Sequence, residues 1–533
     1  MKILVFSLVI FLLFLQPSLN YLAQTTIDPG IQFTRLNINN ISTLFGNNGL
    51  SDYYNYNNLQ FFKYPKDKIL GYTNSGLVFG GKVNEEIRVG GTFYHSALVP
   101  AGTKRIYRVR KDYKTGDLSS EINDNEGTED DIRNKYQLDW LEWPADEGAP
   151  YEDINNNGTY EYDIDIPGIP GADQTIWFKA NDSDSSLVMK WFKSIPLGVG
   201  IEFTYWTYKD IPSLSNAIFR KYRIINNSDY DINEMYCSIQ SDFDVGIAAN
   251  LVGCDTLMQM AIIYNGKDSI YNYDRTPPAL GLIYLGGIDN EGQKIKLSSF
   301  NPFINLYQEY AFPATTKYEN AALRWYNLFQ GKGRDSSKYF IPDEFGGGTT
   351  SFPFSGDPVE QTGWLDNFDM TLNNRGMNIS VGPFNLRSGK SEEMFFALLL
   401  AGGTDNIDRL QAIDSLRKNA EYVHNFYKQV SDLITGIEDN NTISNNFILY
   451  QNYPNPFNPT TVISYLLPVA SYVSLKLYDV LGREVVTIVD KYQQSGNYKI
   501  LLSATNFHLS SGVYFYKLTT SNFSQTKKLV LLK

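Results

Sequence analysis

Two neighbouring segments decide the fold: GIEFTYWTY at residues 200–208 and AIFRKYRII at residues 217–225. Apolar and polar side chains alternate along both, which is typical of antiparallel strands with one buried face. The chain has 38 tyrosines and 32 phenylalanines among its 533 residues. Aromatic strand-forming residues, interrupted by Gly, Asn and Asp, predict a mainly β protein.

The same kind of segment recurs on both sides of this pair. Short apolar stretches bounded by glycine and polar turn residues lie at 76–81, 87–94, 105–110, 175–178, 235–241, 259–264, 377–389 and 394–400. One late segment differs, because its apolar residues recur every three or four positions from about Asn406 to Lys428. That spacing predicts an amphipathic helix against a sheet. We therefore expect a large antiparallel β-rich region over residues 25–430.

The N-terminus has the pattern of a signal peptide. Lys2 precedes a nearly unbroken apolar run from Ile3 to Leu15, and polar residues then lead to Ala23 and Gln24. This run is shorter than the ~20 residues a spanning helix needs. We expect residues 1–24 to be removed, with a membrane anchor as the alternative. No later segment is long and apolar enough to predict a transmembrane span in the mature chain.

The last part of the chain predicts a second, smaller domain. Residues 431–446 (SDLITGIEDNNTISNN) are polar and rich in asparagine, as in a linker. From residue 447 onwards, short alternating segments recur about every ten residues. This spacing favours a seven-stranded, Ig-like β-sandwich over residues 447–533.

Four motifs in this domain carry a family resemblance: QNYPNPFNPTT at 451–461, YDVLGREV at 478–485, SGVYFY at 511–516 and TKKLVLLK at 526–533. In this order they resemble the type A C-terminal sorting domain of type IX secretion cargo. The resemblance implies recognition by the type IX machinery at the outer membrane, followed by release or attachment at the cell surface. An ordinary Ig-like domain is the alternative. Residues 69–428 more loosely resemble uncharacterised exported bacterial proteins, in phrases such as DWLEWP at 139–144 and PGIPGADQTIWF at 167–178.

The net charge and the small numbers of cysteine and histidine residues limit the classes of function that the protein can have. The net charge of −12 argues against nucleic acid as a partner, because phosphates require a basic surface. The only two cysteines, Cys237 and Cys254, either form one disulfide or remain as buried thiols. The three histidines are widely spaced, which disfavours a histidine-rich metal site.

The sharpest local motif is DINNNGTYEYDID at residues 153–165. Calcium takes six to eight oxygen ligands, and an EF-hand-type loop supplies them at positions 1, 3, 5, 7 and 9, with Gly at 6 and Glu at 12. Ile164 stands at position 12, so the motif is incomplete. The alternative is a β-hairpin with a type I′ turn at Asn157 and Gly158. The predicted calcium ligands are Asp153, Asn155, Asn157, Thr159, Glu161, Asp163 and Asp165. Nearby Asp173, Asp182 and Asp184 either join them or form a solvated acidic edge.

No sequence signature identifies an active site, and we predict no catalytic residue and no cofactor other than calcium. The carboxylate pairs Asp139 with Glu142 and Asp242 with Asp244 are the candidates for a secreted hydrolase acting on polysaccharide or peptide. Seven tryptophans offer stacking surfaces for a glycan, although aromatic residues at alternating strand positions are more often core. The sequence favours a secreted or cell-surface protein with a non-catalytic role, either structural or in surface or glycan binding, and keeps the hydrolase as the alternative.

Overall fold

The computed structural model describes residues 30–532, and these bounds enclose several gaps. The gaps are 54–60, 72, 156, 246–249, 269–272, 274, 291–292, 304–319, 334, 367–374, 405, 435–446, 450–451, 453–454, 468, 494–495, 505–506, 508 and 522. The predicted signal peptide (1–24) and most of the predicted linker lie outside the described residues. The chain divides into two compact units, Met1–Gly436 and Ile437–Lys533.

The first unit is built on two antiparallel sheets, which confirms the mainly β prediction. Sheet A has nine strands. Its order is Asn250–Asp255, Met260–Asn265, Ala279–Gly286, Ser391–Ala401, Ala217–Asn226, Val199–Thr207 and Gln174–Asn181, with Val99–Pro100 and Tyr107–Arg110 both pairing with the last. Sheet B has five, in the order Leu297–Phe303, Gly376–Leu386, Ile232–Phe243, Thr73–Val83 and Glu86–Gly91.

The two sheets share one hydrophobic core. Phe203 and Tyr222 of sheet A and Leu77 and Ile239 of sheet B belong to a single cluster of buried side chains. Residues 200–208 and 217–225 lie on adjacent strands in the interior of sheet A, with Tyr205 opposite Arg220. Short two-stranded ladders complete the unit: Phe33–Leu36 with Thr43–Gly46, Phe62–Lys63 with Ile69–Gly71, Tyr151–Glu152 with Ile166–Pro167, Asp289–Asn290 with Gln293–Lys294, and Tyr339–Phe340 with Thr349–Thr350.

The late amphipathic helix is confirmed, and further helices were not predicted. In chain order the α-helices of the described residues are α1 Ser119–Asn123, α2 Glu129–Leu141, α3 Ser185–Phe192, α4 Ala321–Phe329 and α5 Arg409–Ile434, with 3-10 turns at Ala145–Glu147 and Asp343–Phe345. Helix α5 is the predicted one. It ends six residues later than expected, so residues 431–434 of the predicted linker are helical. Its buried face includes Leu416 and Val423, and Tyr427 contacts Phe395 of sheet A.

Helix α2 was missed because it has no continuous apolar stripe; only Ile132, Tyr136 and Asp139 are buried. The sequence feature that marks the start of this helix is a capping box. The Thr128 side chain accepts a hydrogen bond from the Asp131 backbone N–H, and the Asp131 side chain accepts one from the Thr128 backbone N–H. A capping box supplies hydrogen-bond acceptors to backbone N–H groups at the start of the helix, which have no partner within the helix. None of the helices among the described residues has the length and apolar character needed to cross a membrane.

The second unit has seven described strands in two antiparallel sheets around one core. One sheet pairs Ile448–Leu449, Thr460–Leu467 and Gly496–Ser503. The other runs Glu484–Gln493, Ser471–Tyr478, Gly512–Thr519 and Ser524–Leu531. Alternate residues Val473, Leu475 and Leu477 are buried, while Tyr472 is exposed. The predicted small β-sandwich is confirmed.

Candidate functional site

The loop at residues 153–165 is closed at its base by a short ladder. Glu152 pairs with Ile166, and Tyr151 pairs with Pro167. The ends of the loop are therefore fixed, but the turn is not the type I′ hairpin considered above. Of Asn157 and Gly158, only Gly158 has a positive φ, of 74°. A type I′ turn requires positive φ at both central residues.

The first half of the loop wraps around its own polar side chains. The Asp153 carboxylate accepts hydrogen bonds from the Asn157 and Gly158 backbone N–H groups, at 3.1 and 2.7 Å. The Asn155 oxygen accepts from the Asn157 N–H at 3.2 Å, and the Asn157 oxygen accepts from the Thr159 N–H at 2.7 Å. These bonds hold positions 1, 3 and 5 of the motif on one side of the loop.

Glu161 reaches back to the same point. Its Oε2 accepts from Asn155 Nδ2 at 2.6 Å and from Asn157 Nδ2 at 2.7 Å. An amide turned by 180° presents its oxygen where its nitrogen stood. Turning these two amides would, however, place their nitrogens against the Asn157 and Thr159 N–H groups that their oxygens accept, so in this structure the asparagines direct donors at Glu161.

The remaining predicted ligands have different positions. Asp165 is 2% exposed, and its two oxygens accept the Ile154 and Glu161 N–H groups at 2.9 and 2.7 Å. Asp163 and Thr159 are exposed. Among the residues that the structure describes, no three His, Cys, Asp or Glu side chains are grouped so that they could hold a metal ion. A cation here would depend on amide and backbone oxygens as well as on Asp153 and Glu161.

The loop is attached to the end of helix α2. Trp140 Nε1 donates to the Tyr162 carbonyl at 2.9 Å, and the Tyr160 hydroxyl donates to the Trp140 carbonyl at 2.7 Å. The neighbouring aspartates do not join the loop. Asp184 caps helix α3, and the buried Asp182 accepts the Leu197 and Val199 N–H groups at 2.7 and 2.8 Å.

The carboxylates considered for hydrolysis have partners. Asp139 Oδ1 is 2.8 Å from Arg105 Nη2, its Oδ2 accepts the Arg108 N–H at 3.0 Å, and Glu142 pairs with the same Arg105. Asp242 accepts a hydrogen bond from the Tyr94 hydroxyl, and burial raises the pKa of Asp242. The first pair is thus part of an ionic network.

That network underlies helices α1 and α2, and it was not predicted. Arg110 Nη1 is 2.8 Å from Glu121 Oε1, and Arg108 Nη2 is 2.5 Å from Glu126 Oε2. Arg110 is 3% exposed and Glu121 is 0% exposed. Four arginines between residues 105 and 133, among acidic residues, are the signal that was available in the sequence.

The tryptophans and cysteines are mostly internal. Trp143, Trp177, Trp206 and Trp325 are 0–4% exposed, which makes them core residues. Trp140, Trp191 and Trp364 are half-buried. Trp191 stacks on His95 with ring centroids 3.8 Å apart. Cys237 and Cys254 are both buried free thiols, one in sheet B and one in sheet A.

Comparisons with known proteins bear mainly on the second unit. Residues 451–532 match the family described as the secretion system C-terminal sorting domain. No curated protein sequence matches the chain.

Three solved structures are similar to parts of the chain, with TM-scores too low to support an argument about fold or role. A polysaccharide lyase is 8% identical over 62% of this chain and 34% of its own, with a TM-score of 0.18. The adhesin domain of Epf from Streptococcus pyogenes is 9% identical over 61% and 82%, with a TM-score of 0.13. Dimeric latent PorU from Porphyromonas gingivalis is 10% identical over 67% and 31%, with a TM-score of 0.15. The chain thus spans about a third of the lyase.

Proposed function

We propose that this type IX secretion cargo, whose sorting domain at residues 451–532 directs it to the cell surface or out of the cell, acts there as a non-catalytic structural or binding protein with a calcium-stabilised loop. The sorting domain is the part that the secretion machinery recognises. The cargo role and the calcium are our proposal.

The observation that carries the calcium proposal is the convergence within residues 153–165. Glu161 Oε2 accepts hydrogen bonds from Asn155 Nδ2 at 2.6 Å and Asn157 Nδ2 at 2.7 Å, which brings positions 3, 5 and 9 of the motif together. Asp153 faces the loop, and Gly158 allows the turn at position 6. Oxygen ligands from a wrapped loop are what calcium requires. No arginine or lysine pairs with the loop carboxylates among the described residues, so a bound cation would offset their charge.

The role of that cation would be structural. Extracellular calcium modules typically bind with Kd ~0.1–1 mM. Through Tyr160, Tyr162 and Trp140 the loop is tied to helix α2, so ordering it also holds that helix. We therefore propose that calcium, which is abundant outside cells, stabilises the protein after export.

Thermal unfolding of the full chain in calcium and in chelator tests this proposal. We expect calcium to raise the Tm of the wild type, and Asp153→Ala to remove the difference. Asp163→Ala is the matched control, because it removes an exposed carboxylate of the same loop and should keep the calcium response. An unchanged wild-type Tm, or an equal response in Asp153→Ala, would reject the calcium site.

The cargo role is tested separately. A glycan array probed with the full chain should reveal binding if the protein recognises surface glycans, and polysaccharide or peptide substrates should not be turned over. Turnover that disappears in Asp242→Asn would instead establish the hydrolase alternative.

A further inference from the structure

The second unit contains a sheet edge that is not covered. Among the described residues, Glu484–Gln493 is the outermost strand of its four-stranded sheet and pairs only with Ser471–Tyr478. Alternate N–H and C=O groups of such a strand point away from the sheet. In the described part of the chain, its backbone makes one bond outside this ladder, a long one of 3.4 Å from the Tyr472 hydroxyl to the Asp490 carbonyl. The strand is therefore able to pair with a further strand.

The opposite edge of the same sheet is covered. Asn455 Nδ2 donates to the Lys528 carbonyl at 3.0 Å, and Asn455 Oδ1 accepts the Val530 N–H at 2.8 Å. Phe457 continues this cover, because its N–H donates to the Val530 carbonyl at 2.9 Å and its carbonyl accepts the Leu532 N–H at 3.0 Å. Two residues of the QNYPNPFNPTT motif thus close one edge of the sheet and leave the other one available.

Outer strands of the first unit are covered as well. At one edge of sheet A, the Cys254 N–H donates to the Phe354 carbonyl at 3.2 Å. At one edge of sheet B, the Phe300 N–H donates to the Ser351 carbonyl at 2.9 Å. Proteins cover their edge strands because an open strand pairs with other chains. An open edge in the sorting domain therefore indicates a surface for a partner.

The same hairpin exposes large apolar side chains. Val480 and Leu481 at its turn are 64% and 73% exposed, and Val485 and Tyr492 on the edge strand are 39% and 62% exposed. The Asp479 carboxylate accepts the Leu481 N–H at 2.9 Å, which fixes the turn from within. Apolar side chains gathered on an exposed surface mark interaction sites.

We propose that residues 471–493, here called the docking hairpin, are the surface through which the type IX secretion machinery holds this cargo. An extended strand of the machinery pairs along Glu484–Gln493, and an apolar pocket receives Val480 and Leu481. Strand addition recognises the main chain, and pockets for side chains add specificity. The partner is the machinery because residues 451–532 are the part of the chain that it recognises. The proposal rests on the export route given above and adds its contact surface.

Export of the full chain from a bacterium with a type IX system tests the apolar turn. We expect Leu481→Asp to lower the fraction of protein outside the cell by roughly fivefold or more, because a charge replaces an apolar side chain within the contact. Val469→Asp is the matched control, since Val469 is 57% exposed but lies outside the docking hairpin, and its export should equal that of the wild type. Both purified variants should keep the wild-type Tm, because neither side chain is buried.

Proline tests the strand pairing. In an antiparallel ladder the N–H groups of neighbouring residues alternate in direction, so one of Asp490 and Lys491 points its N–H toward Ser471–Tyr478 and the other points it away. Proline removes the N–H. Of Asp490→Pro and Lys491→Pro, one should therefore lower the Tm, and the other should keep the Tm but lose export. If both lower the Tm, Leu481→Asp decides alone.

Wild-type export of Leu481→Asp, or of the proline variant that keeps its Tm, would overturn the proposal. A chain that lacks residues 451–532 is the reference, and it should stay inside the cell. Export of this truncated chain would reject the export route itself, so failure of the docking hairpin and failure of the route are distinguishable. The calcium response of the loop at 153–165 is independent of both, because the loop shares no residue with the docking hairpin.

Discussion

Two acidic regions of the cargo unit, only a few residues apart in sequence, neutralise their carboxylates in opposite ways. Between residues 105 and 141, buried carboxylates are matched by arginines, as in Arg110 with Glu121 and Arg108 with Glu126. In the loop at 153–165, the carboxylates are held by backbone N–H groups and amides alone. The first region places cations beside its buried carboxylates, whereas no arginine or lysine among the described residues pairs with the carboxylates of the second.

The same contrast appears in two pKa shifts. Burial alone would raise the pKa of Asp112, but hydrogen bonds from Arg110 and Lys209 outweigh it and lower that pKa to about 2. Asp182 has no arginine or lysine partner in the described part of the chain, and burial raises its pKa to about 6 despite the N–H groups of Leu197 and Val199. The Asp112 side chain is 25% exposed and Asp182 is 1% exposed, so the two shifts reflect both the cationic partners of Asp112 and the deeper burial of Asp182.

The largest effect should come from breaking the arginine region. Arg110→Met leaves Glu121 buried and without its cation, and we expect it to lower the free energy of unfolding by about 3–5 kcal/mol. Urea denaturation measures this loss. Adding Glu121→Gln should restore much of it, because the buried charge is then gone. If Arg110→Met and the wild type are equally stable, the buried arginine–carboxylate pairs do not offset the free-energy cost of burying the carboxylate charge.

The pH dependence should differ in sign between the two kinds of carboxylate. Asp182 ionises in the unfolded chain at about pH 4 but in the folded protein only at about 6, so its contribution to stability falls as pH rises through this window, by roughly 2–3 kcal/mol. Asp112 contributes stability above about pH 4 that is lost as pH falls toward 2.

Denaturation of the two variants from pH 2 to 8 measures both contributions. Asp182→Asn should flatten the change between pH 4 and 6, and Asp112→Asn the change below pH 4. The same slope in wild type and Asp182→Asn between pH 4 and 6 would contradict the assignment to Asp182.

A smaller effect should come from the turn of the loop. Gly158→Ala places a side chain at a φ of 74°, at a cost of about 1–2 kcal/mol. Gly171→Ala is the matched control, because Gly171 also has a positive φ of 77° with nothing within 4 Å of the added Cβ. Both should lower the Tm, but only Gly158→Ala should also weaken the calcium response. If the two variants respond equally to calcium, the turn at Gly158 does not contribute to calcium binding, and this prediction is wrong.

The smallest effect should come from an ion pair that is not buried. Lys82 Nζ lies 2.8 Å from Glu234 Oε1, and the Glu234 side chain is 51% exposed. Water and salt screen such a pair. Lys82→Met should leave the unfolding midpoint within error of wild type. A loss comparable to that of Arg110→Met would show that burial is not what separates strong pairs from weak ones.

Much of the fold was predictable, because it depends on local patterns. The alternation at 200–208 and 217–225 predicted two strands, each with one buried face; both strands are present, but Val199–Thr207 is buried on both faces. The three-to-four spacing after Asn406 predicted helix α5. The sorting domain was recognisable from four motifs in order. Helix α2 was not predicted, because only Ile132, Tyr136 and Asp139 of its thirteen residues are buried and a hydrophobic period is absent.

The candidate sites divide in the same way. The motif of the loop at 153–165 is local, since the hydrogen bonds of Asp153, Asn155 and Asn157 span only two to five residues. The spacing of these residues in the sequence is therefore enough to predict the loop. Asp163 and Asp165 look equivalent in the sequence, and only the folded loop separates the exposed side chain from the buried one.

The sequence by itself determined the export route, the mainly β fold class and the acidic loop, because each depends on residues close together in the chain. Only the tertiary structure decided which carboxylates meet arginines, and that the two cysteines lie in different sheets as free thiols. Strand register aligns residues up to about 300 positions apart, as in the row formed by Gly76, Gln240 and Asn378. Such pairings follow from how whole sheets pack, which no local pattern specifies.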